Sequence, residues 1–276
     1  MTVRRRFHDL ADRQIHYRES GKAGDTPTLF MLHLLPGSSL QLVPLMEALG
    51  DRHLVAPDLS GLGDSEAEPE PLTIAAMASD VLALIEAHGD RPVDLYGTHT
   101  GACVAIEIAA RHPGRVRRLI IDGVPIFDTA TAEEFAARYA PVIEPDHDGT
   151  HLLRAHNFCR DQFLFYPWYD HSAKAARGGG LPPADVLFTF VKEVLKASAV
   201  LPAAYRAAFT YPTEAMLAQV PHRTLCLVPQ SDTLAAATRK ALDCLSNGQL
   251  AEVPGDESNR SASAACITEF LSSEVS

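Results

Sequence analysis

Val93-Asp94-Leu95-Tyr96-Gly97-Thr98-His99-Thr100-Gly101-Ala102-Cys103 is the stretch on which the fold turns. An apolar run enters Gly-x-His-x-Gly and passes at once into residues 100–111, which carry a helical pattern stopped by Pro113-Gly114. A chain that goes from buried strand to helix without a loop must turn tightly. Glycines two positions either side of His99 remove the side chains that would collide there. The central side chain is left projecting from the carboxyl edge of a sheet, beside the positive end of the following helix.

Outward from this turn, short apolar runs alternate with helical patterns. Residues 4–10 and 14–18 read as a strand hairpin about Ala11-Asp12-Arg13, and 28–34, 53–56, 92–96 and 116–121 as further strands. Residues 40–49 and 73–88 read as helices. In the second, Thr73 caps, Ile74, Met77, Val81, Leu84 and Ile85 form the inward stripe, and Asp80 and Glu86 face out. Strands separated by helices imply right-handed crossovers and a mostly parallel sheet. The rhythm breaks from Phe127 to Thr213, where Thr131-x-x-Glu134 reads as a capping box and residues 150–165, capped by Thr150, and 184–199 read as helices. Strands at 224–228 and 249–253, with helices at 233–245 and up to Leu271, then resume it. The expected organisation is an α/β core of residues 1–126 and 214–276, with 127–213 as a helical cap over a site.

At 276 residues the chain suits one large core with an insertion. A composition of 46% hydrophobic and 21% charged residues is that of a globular protein and excludes a disordered polymer, a collagen or a coiled coil. A net charge of −11 argues against a nucleic-acid partner, because neutralising phosphates takes clustered Lys and Arg, and the one basic run is Arg4-Arg5-Arg6. No apolar run approaches the ~20 residues of a membrane span, and the N-terminal residues lack the apolar run of a secretory signal. Five widely spaced cysteines with no C-x-x-C pair point to reduced thiols and a cytoplasmic location. The expected partner is a small-molecule substrate or ligand, without cofactor or metal, on a monomer or homodimer.

The Gly-x-His-x-Gly turn resembles the nucleophile elbow, G-x-S-x-G, of the α/β-hydrolase family. His33-Leu34-Leu35-Pro36-Gly37-Ser38 is similar to that family's H-G-x-P-G-S loop, with Leu34 where the first glycine is usual. Asp58-Leu59-Ser60-Gly61-Leu62-Gly63-Asp64-Ser65 resembles its D-x-x-G-x-G-x-S loop. Val228-Pro229-Gln230-Ser231-Asp232 resembles the G-x-x-D segment that supplies the acid, with Pro229 in place of glycine. The resemblance implies an eight-strand-type, mostly parallel sheet flanked by helices, with a helical cap insertion.

The chemistry departs from that pattern. Family members carry Ser, Asp or Cys at the elbow, where this chain has His99. They place a histidine after the last strand, where residues 252–260 hold none; no histidine follows His222. A Ser-His-Asp triad therefore cannot be assembled in the usual way. One reading moves the imidazole onto the elbow as general base or nucleophile, with Asp232 or Asp122 as its carboxylate partner and the sequence unable to choose between them. The resemblance then implies an oxyanion hole from the N–H groups of Thr100 and of Leu35 or Leu34. A lone base suits ester or lactone hydrolysis, C–C or C–O lysis, or isomerisation of a small carbonyl compound better than amide hydrolysis. The alternative is a degraded triad on an intact scaffold that binds a small molecule without turnover.

Other residues bordering the expected site are His33, read as a structural hydrogen-bonder beneath the oxyanion loop, and Ser38, Ser39 and Ser60 in the loops. Tyr166, Trp168 and Tyr169 are aromatic candidates for the pocket wall, which favours an apolar or aromatic ligand. Cys103, one turn beyond His99, reads as a packed thiol. His147, His151 and His156 have spacings that do not bring all three onto one helical face, so they read as solvated polar residues rather than metal ligands.

Overall fold

The computed structural model describes residues 2–67, 71–256 and 258–273. β1 (Arg4–Asp9) and β2 (Gln14–Ser20) form the expected antiparallel hairpin, and β2 pairs antiparallel with β4 (Leu54–Pro57). The remaining strands are parallel: β3 (Leu29–Leu32), β5 (Val93–Thr98), β6 (Val116–Asp122), β7 (Thr224–Pro229) and β8 (Gly248–Val253). The sheet order is β1-β2-β4-β3-β5-β6-β7-β8. From β3 the chain steps to one side and from β5 to the other, so the carboxyl ends of these neighbours flank a switch point, where open α/β sheets hold ligands.

Helices α1 (Val43–Ala48), α2 (Ile74–Ala87), α3 (Thr100–Arg111), α9 (Ala235–Ala241) and α10 (Asn259–Ser272) flank the sheet. Between β6 and β7 lie α4 (Thr129–Arg138), α5 (Thr150–Leu164), α6 (Ala184–Lys196), α7 (Leu201–Phe209) and α8 (Thr213–Leu217). β3 and β5 are buried along their whole length, as central parallel strands must be. The apolar stripe of α2 is buried against the sheet, each large side chain contributing roughly 1.5–3 kcal/mol.

Three local expectations need correction. Asp80 does not face solvent: it is 5% exposed, because the β1–β2 turn lays Arg13 across α2 to pair with it. α4 is capped by Asp128, whose Oδ1 accepts from the Thr131 N–H at 2.9 Å, not by Thr131. At α5 the Thr150 N–H donates to Asp146 at 2.9 Å, so an upstream carboxylate does the capping expected of Thr150.

The loop after β4 is tied to the hairpin by a buried network. Arg5 Nε–H donates to His16 Nε2 at 3.2 Å, so it is Nδ1–H of His16 that donates to Asp58 Oδ2, at 2.7 Å. The Ser39 and Asp64 N–H groups also donate to the Asp58 carboxylate. Burial by itself would raise the Asp58 pKa; the His16 bond and these amides outweigh it and lower it from 3.8 to about 2. A depressed carboxylate stabilises the fold above its unfolded-state pKa, and the contribution is lost as pH falls through the folded value. Asp58→Asn is therefore expected to cost about 2 kcal/mol at pH 7, with the gap to wild type closing between about pH 4 and pH 2. Denaturant melts across that range check both parts.

Candidate active site

His99 is the only non-glycine residue with positive φ among the described residues, at φ 51° and ψ −115°. Such a conformation costs roughly 1–3 kcal/mol and survives only where the surroundings over-determine it. Here they do. A side chain on Gly97 would strike the Gly101 carbonyl, and one on Gly101 would strike the Leu32 carbonyl, so α3 can start against β3 only with glycine at both positions. The His99 N–H donates to the Asp122 carbonyl at 2.9 Å, and its carbonyl accepts from Ala102 at 2.9 Å.

The imidazole reaches Asp232, in the loop after β7: Nε2 lies 2.8 Å from Oδ2. A carboxylate only accepts, so Nε2 carries the proton and Nδ1 the lone pair when the ring is neutral. Nδ1 has no protein partner among the described residues, and the side chain is 25% exposed, toward a cavity of about 250 Å³. Gly123, just past β6, makes room for the ring, since a Cβ there would overlap its Cδ2 and Nε2. Asp232 is held in turn by the Leu234 N–H, 2.6 Å from Oδ1. The loop after β8, of which Glu257 lies outside the described residues, brings Gly255 against Ser231. His99 thus pairs with the carboxylate that a histidine from that loop would otherwise meet.

The two candidate carboxylates are distinguished by geometry. Asp122 sends Oδ2 to the Tyr96 hydroxyl, which donates at 3.0 Å, while its Oδ1 is buried without a partner among the described residues. Burial, then the negative charge of Asp232, push its pKa up to about 7. Burial also works to raise Asp232, but the charge and hydrogen bond of His99 outweigh it and leave it lowered. For His99 burial disfavours the cation; the charge and hydrogen bond of Asp232 prevail, and its pKa is raised above 6.5.

Leu34, Leu35 and Thr100 line the cavity floor beside His99. His33 does not line it. The Leu59 N–H donates to its Nε2 at 2.9 Å, so Nδ1–H donates to the Leu34 carbonyl at 2.9 Å. Burial lowers its pKa, so the neutral ring pins the Leu34–Leu35 loop from behind. Ser38 is also away from the cavity, buried as the N-cap of a 3₁₀ turn over Ser39–Leu42. Ser39 and Ser60 are likewise buried off the cavity, and Cys103 is packed, with burial lifting its pKa to about 12.

The inserted helices form the roof. Tyr166 lines the cavity; Trp168 and Tyr169 do not, contrary to expectation. The Trp168 indole N–H needs an acceptor and finds the Tyr139 carbonyl at 2.7 Å, which turns the ring onto Phe158. Tyr169 donates its hydroxyl to Glu134 and is covered by Arg138. In their place Phe127, Tyr139, Tyr205 and Phe209 supply aromatic surface, and Gln162 and Arg177 supply polar groups. None of these was singled out in the sequence, although Arg177 precedes the conspicuous Gly178-Gly179-Gly180 run.

Among the described residues one cluster has metal-ligand geometry, His16, Asp58 and Asp64, with ligand atoms within 4.8 Å of one another. Arg5 and Lys196 already pair with Asp64, and His16 donates to Asp58, so the cluster is a compensated ion-pair network. His147, His151 and His156 do not converge as a ligand group among the described residues.

An eight-stranded sheet with this order, a strained strand–turn–helix at β5, and an acid after β7 define the α/β-hydrolase fold. Residues 27–157 match the family model described as alpha/beta hydrolase fold. The chain has the α/β-hydrolase fold. It is 37% identical, over 41% of its length, to a pyrrolizixenacetamide deacetylase of Xenorhabdus hominickii, of which the match covers 42%. The chain spans less than half the length of the curated relatives it matches first. An enol-lactonase from Burkholderia xenovorans superposes with a TM-score of 0.72 at 19% identity, covering 97% of this chain and all of that one. Epoxide hydrolase A from Mycobacterium thermoresistibile superposes at 0.75 with 20% identity, covering 98% of each. Among the described residues no helix is long and apolar enough to cross a membrane.

Since Asp232 supplies the largest influence raising the His99 pKa, Asp232→Asn is expected to lower that pKa. Titration of the His99 ring by NMR in both proteins measures the direction; an unchanged value would mean the pair contributes nothing to the ring's basicity.

Proposed function

We propose that this chain is an enzyme acting on a small, apolar or aromatic carbonyl compound, with His99 as general base and Asp232 as its orienting carboxylate. The observation that carries this reading is the free Nδ1 of a strained, carboxylate-paired imidazole facing a cavity. In the reaction, Nδ1 takes a proton from a water as its oxygen bonds to the carbonyl carbon. Asp232 retains the Nε2 hydrogen bond and offsets the imidazolium charge. The oxyanion forms against the N–H groups of Thr100 and Leu35. Collapse breaks the bond to the leaving group, which takes the proton back from Nδ1. The same base position serves proton abstraction next to a carbonyl, which extends the class to C–C or C–O lysis and isomerisation.

The relatives' names, a deacetylase and putative carbamate hydrolases among them, support a hydrolytic class without choosing the substrate. A cavity of about 250 Å³ lies at the small end of ligand pockets and favours a compact molecule. Five free thiols, three of them buried, suit a reducing compartment such as the cytoplasm.

A second reading, binding without turnover, is favoured by the lack of a hydroxyl, thiol or carboxyl at the elbow's central position. A panel of activated aryl esters and lactones separates the two. On the catalytic reading His99→Ala loses about 10²–10⁴-fold in kcat/KM. The wild-type rate rises with pH through the raised His99 pKa, because the base must be neutral to act. Saturable binding with no product, or a rate indifferent to His99→Ala, favours the binding reading.

A further inference from the structure

The cavity above His99 is walled mostly by aromatic and aliphatic side chains, with the His99–Asp232 pair at its floor and one further charged group, Arg177. Arg177 is the only cationic residue other than the His99 ring among the described residues that line it. Its backbone is fixed on the N-terminal side: Phe165 and Ala176 form an isolated antiparallel bridge, and the Arg177 N–H donates to the Leu164 carbonyl at 2.8 Å. Its Nη1 donates to the Gln162 carbonyl at 2.6 Å, which anchors one arm of the guanidinium and leaves Nε and Nη2 with no protein acceptor among the described residues. No carboxylate forms an ion pair with it there, and its positive charge is felt at His99, Asp232, Tyr139 and Tyr166. Arg177 is exposed at the cavity's edge, so its spare donors are open to solvent and to a ligand entering beside the aromatic lining.

We propose that Arg177 binds a carboxylate on the substrate, so that the molecule processed at His99 is a small aromatic or alicyclic carbonyl compound that is also a carboxylic acid. The assignment rests on the proposed use of this cavity as the substrate site. A planar guanidinium with adjacent free N–H groups matches a carboxylate by two parallel hydrogen bonds, a geometry that an ammonium cannot reproduce. One cation balances one negative charge. Asp232 and Asp122, close to the ring, disfavour a ligand with a second. The tyrosines and phenylalanines between Arg177 and the floor cover the apolar body of the ligand. Arg177 is then a specificity-determining residue rather than a participant in proton transfer.

The test uses inert ligands, so it is readable whether or not the protein turns over an ester. Benzoate and its neutral isostere nitrobenzene are titrated into wild type, Arg177→Gln and Arg177→Lys by calorimetry or ligand-observed NMR. Wild type is expected to bind benzoate about 10- to 100-fold more tightly than nitrobenzene. Arg177→Gln is expected to abolish that preference while holding nitrobenzene affinity within about threefold, which also shows that the variant is folded, and Arg177→Lys to restore it only in part. Equal affinity of wild type for the two ligands, no saturable benzoate binding, or equal weakening of both by Arg177→Gln overturns the proposal. If the ester panel finds activity lost with His99→Ala while benzoate is not preferred, the catalytic reading stands and this one fails.

Discussion

The turn between β5 and α3 admits one backbone path. α3 must start close enough to β3 that neither Gly97 nor Gly101 can carry a side chain, and the residue between them is forced to φ 51°. Everything at the site follows from that constraint. It puts the His99 side chain at the carboxyl edge of the sheet, between the ends of β3 and β6 and opposite the loop after β7. It leaves the Thr100 N–H at the open end of α3, and it requires the Asp122 carbonyl to hold the His99 amide.

With an imidazole at that point, the electrostatics rearrange. In the family pattern a histidine from the last loop stands between the elbow and the acid. Here the elbow residue bonds the acid directly, and Gly123 leaves space for the ring to do so. Two carboxyls near one imidazole cannot share the same ionisation state cheaply. Asp232, paired with the ring and the Leu234 amide, is held down, while Asp122, buried with only the Tyr96 hydroxyl as partner, is pushed up to about 7. Such a split is how neighbouring groups are given distinct acid and base roles. The raised His99 pKa is part of the same balance.

Much of the core was legible because backbone constraints write themselves into residue types. Glycines at the elbow, the loop around Asp58, and alternating strand and helix patterns identify the sheet, and His99 with Asp232 could be named from motif position. What sequence left open was the choice between Asp232 and Asp122, because it depends on which carboxyl the ring turns toward. The roof was the least legible part. Its helices have apolar residues on more than one face, so periodicity could not say that Tyr139, Tyr205 and Phe209 face the cavity while Trp168 turns away to satisfy its N–H. Asp80 and the Thr131 cap were misread for a related reason: the Arg13 partner of Asp80 is fixed by tertiary approach, and the cap, Asp128, by where the helix begins.

The central claim is that the His99 ring donates a hydrogen bond from Nε2–H to Asp232 and presents a bare Nδ1 to the cavity. A long-range proton–nitrogen correlation spectrum of nitrogen-labelled histidine, recorded above the ring's pKa, reads that arrangement directly. A protonated Nε2 with an unprotonated Nδ1, lost as a defined tautomer in Asp232→Asn, is the predicted result. A ring carrying its proton on Nδ1, or averaging freely between tautomers in the wild-type protein, would contradict it.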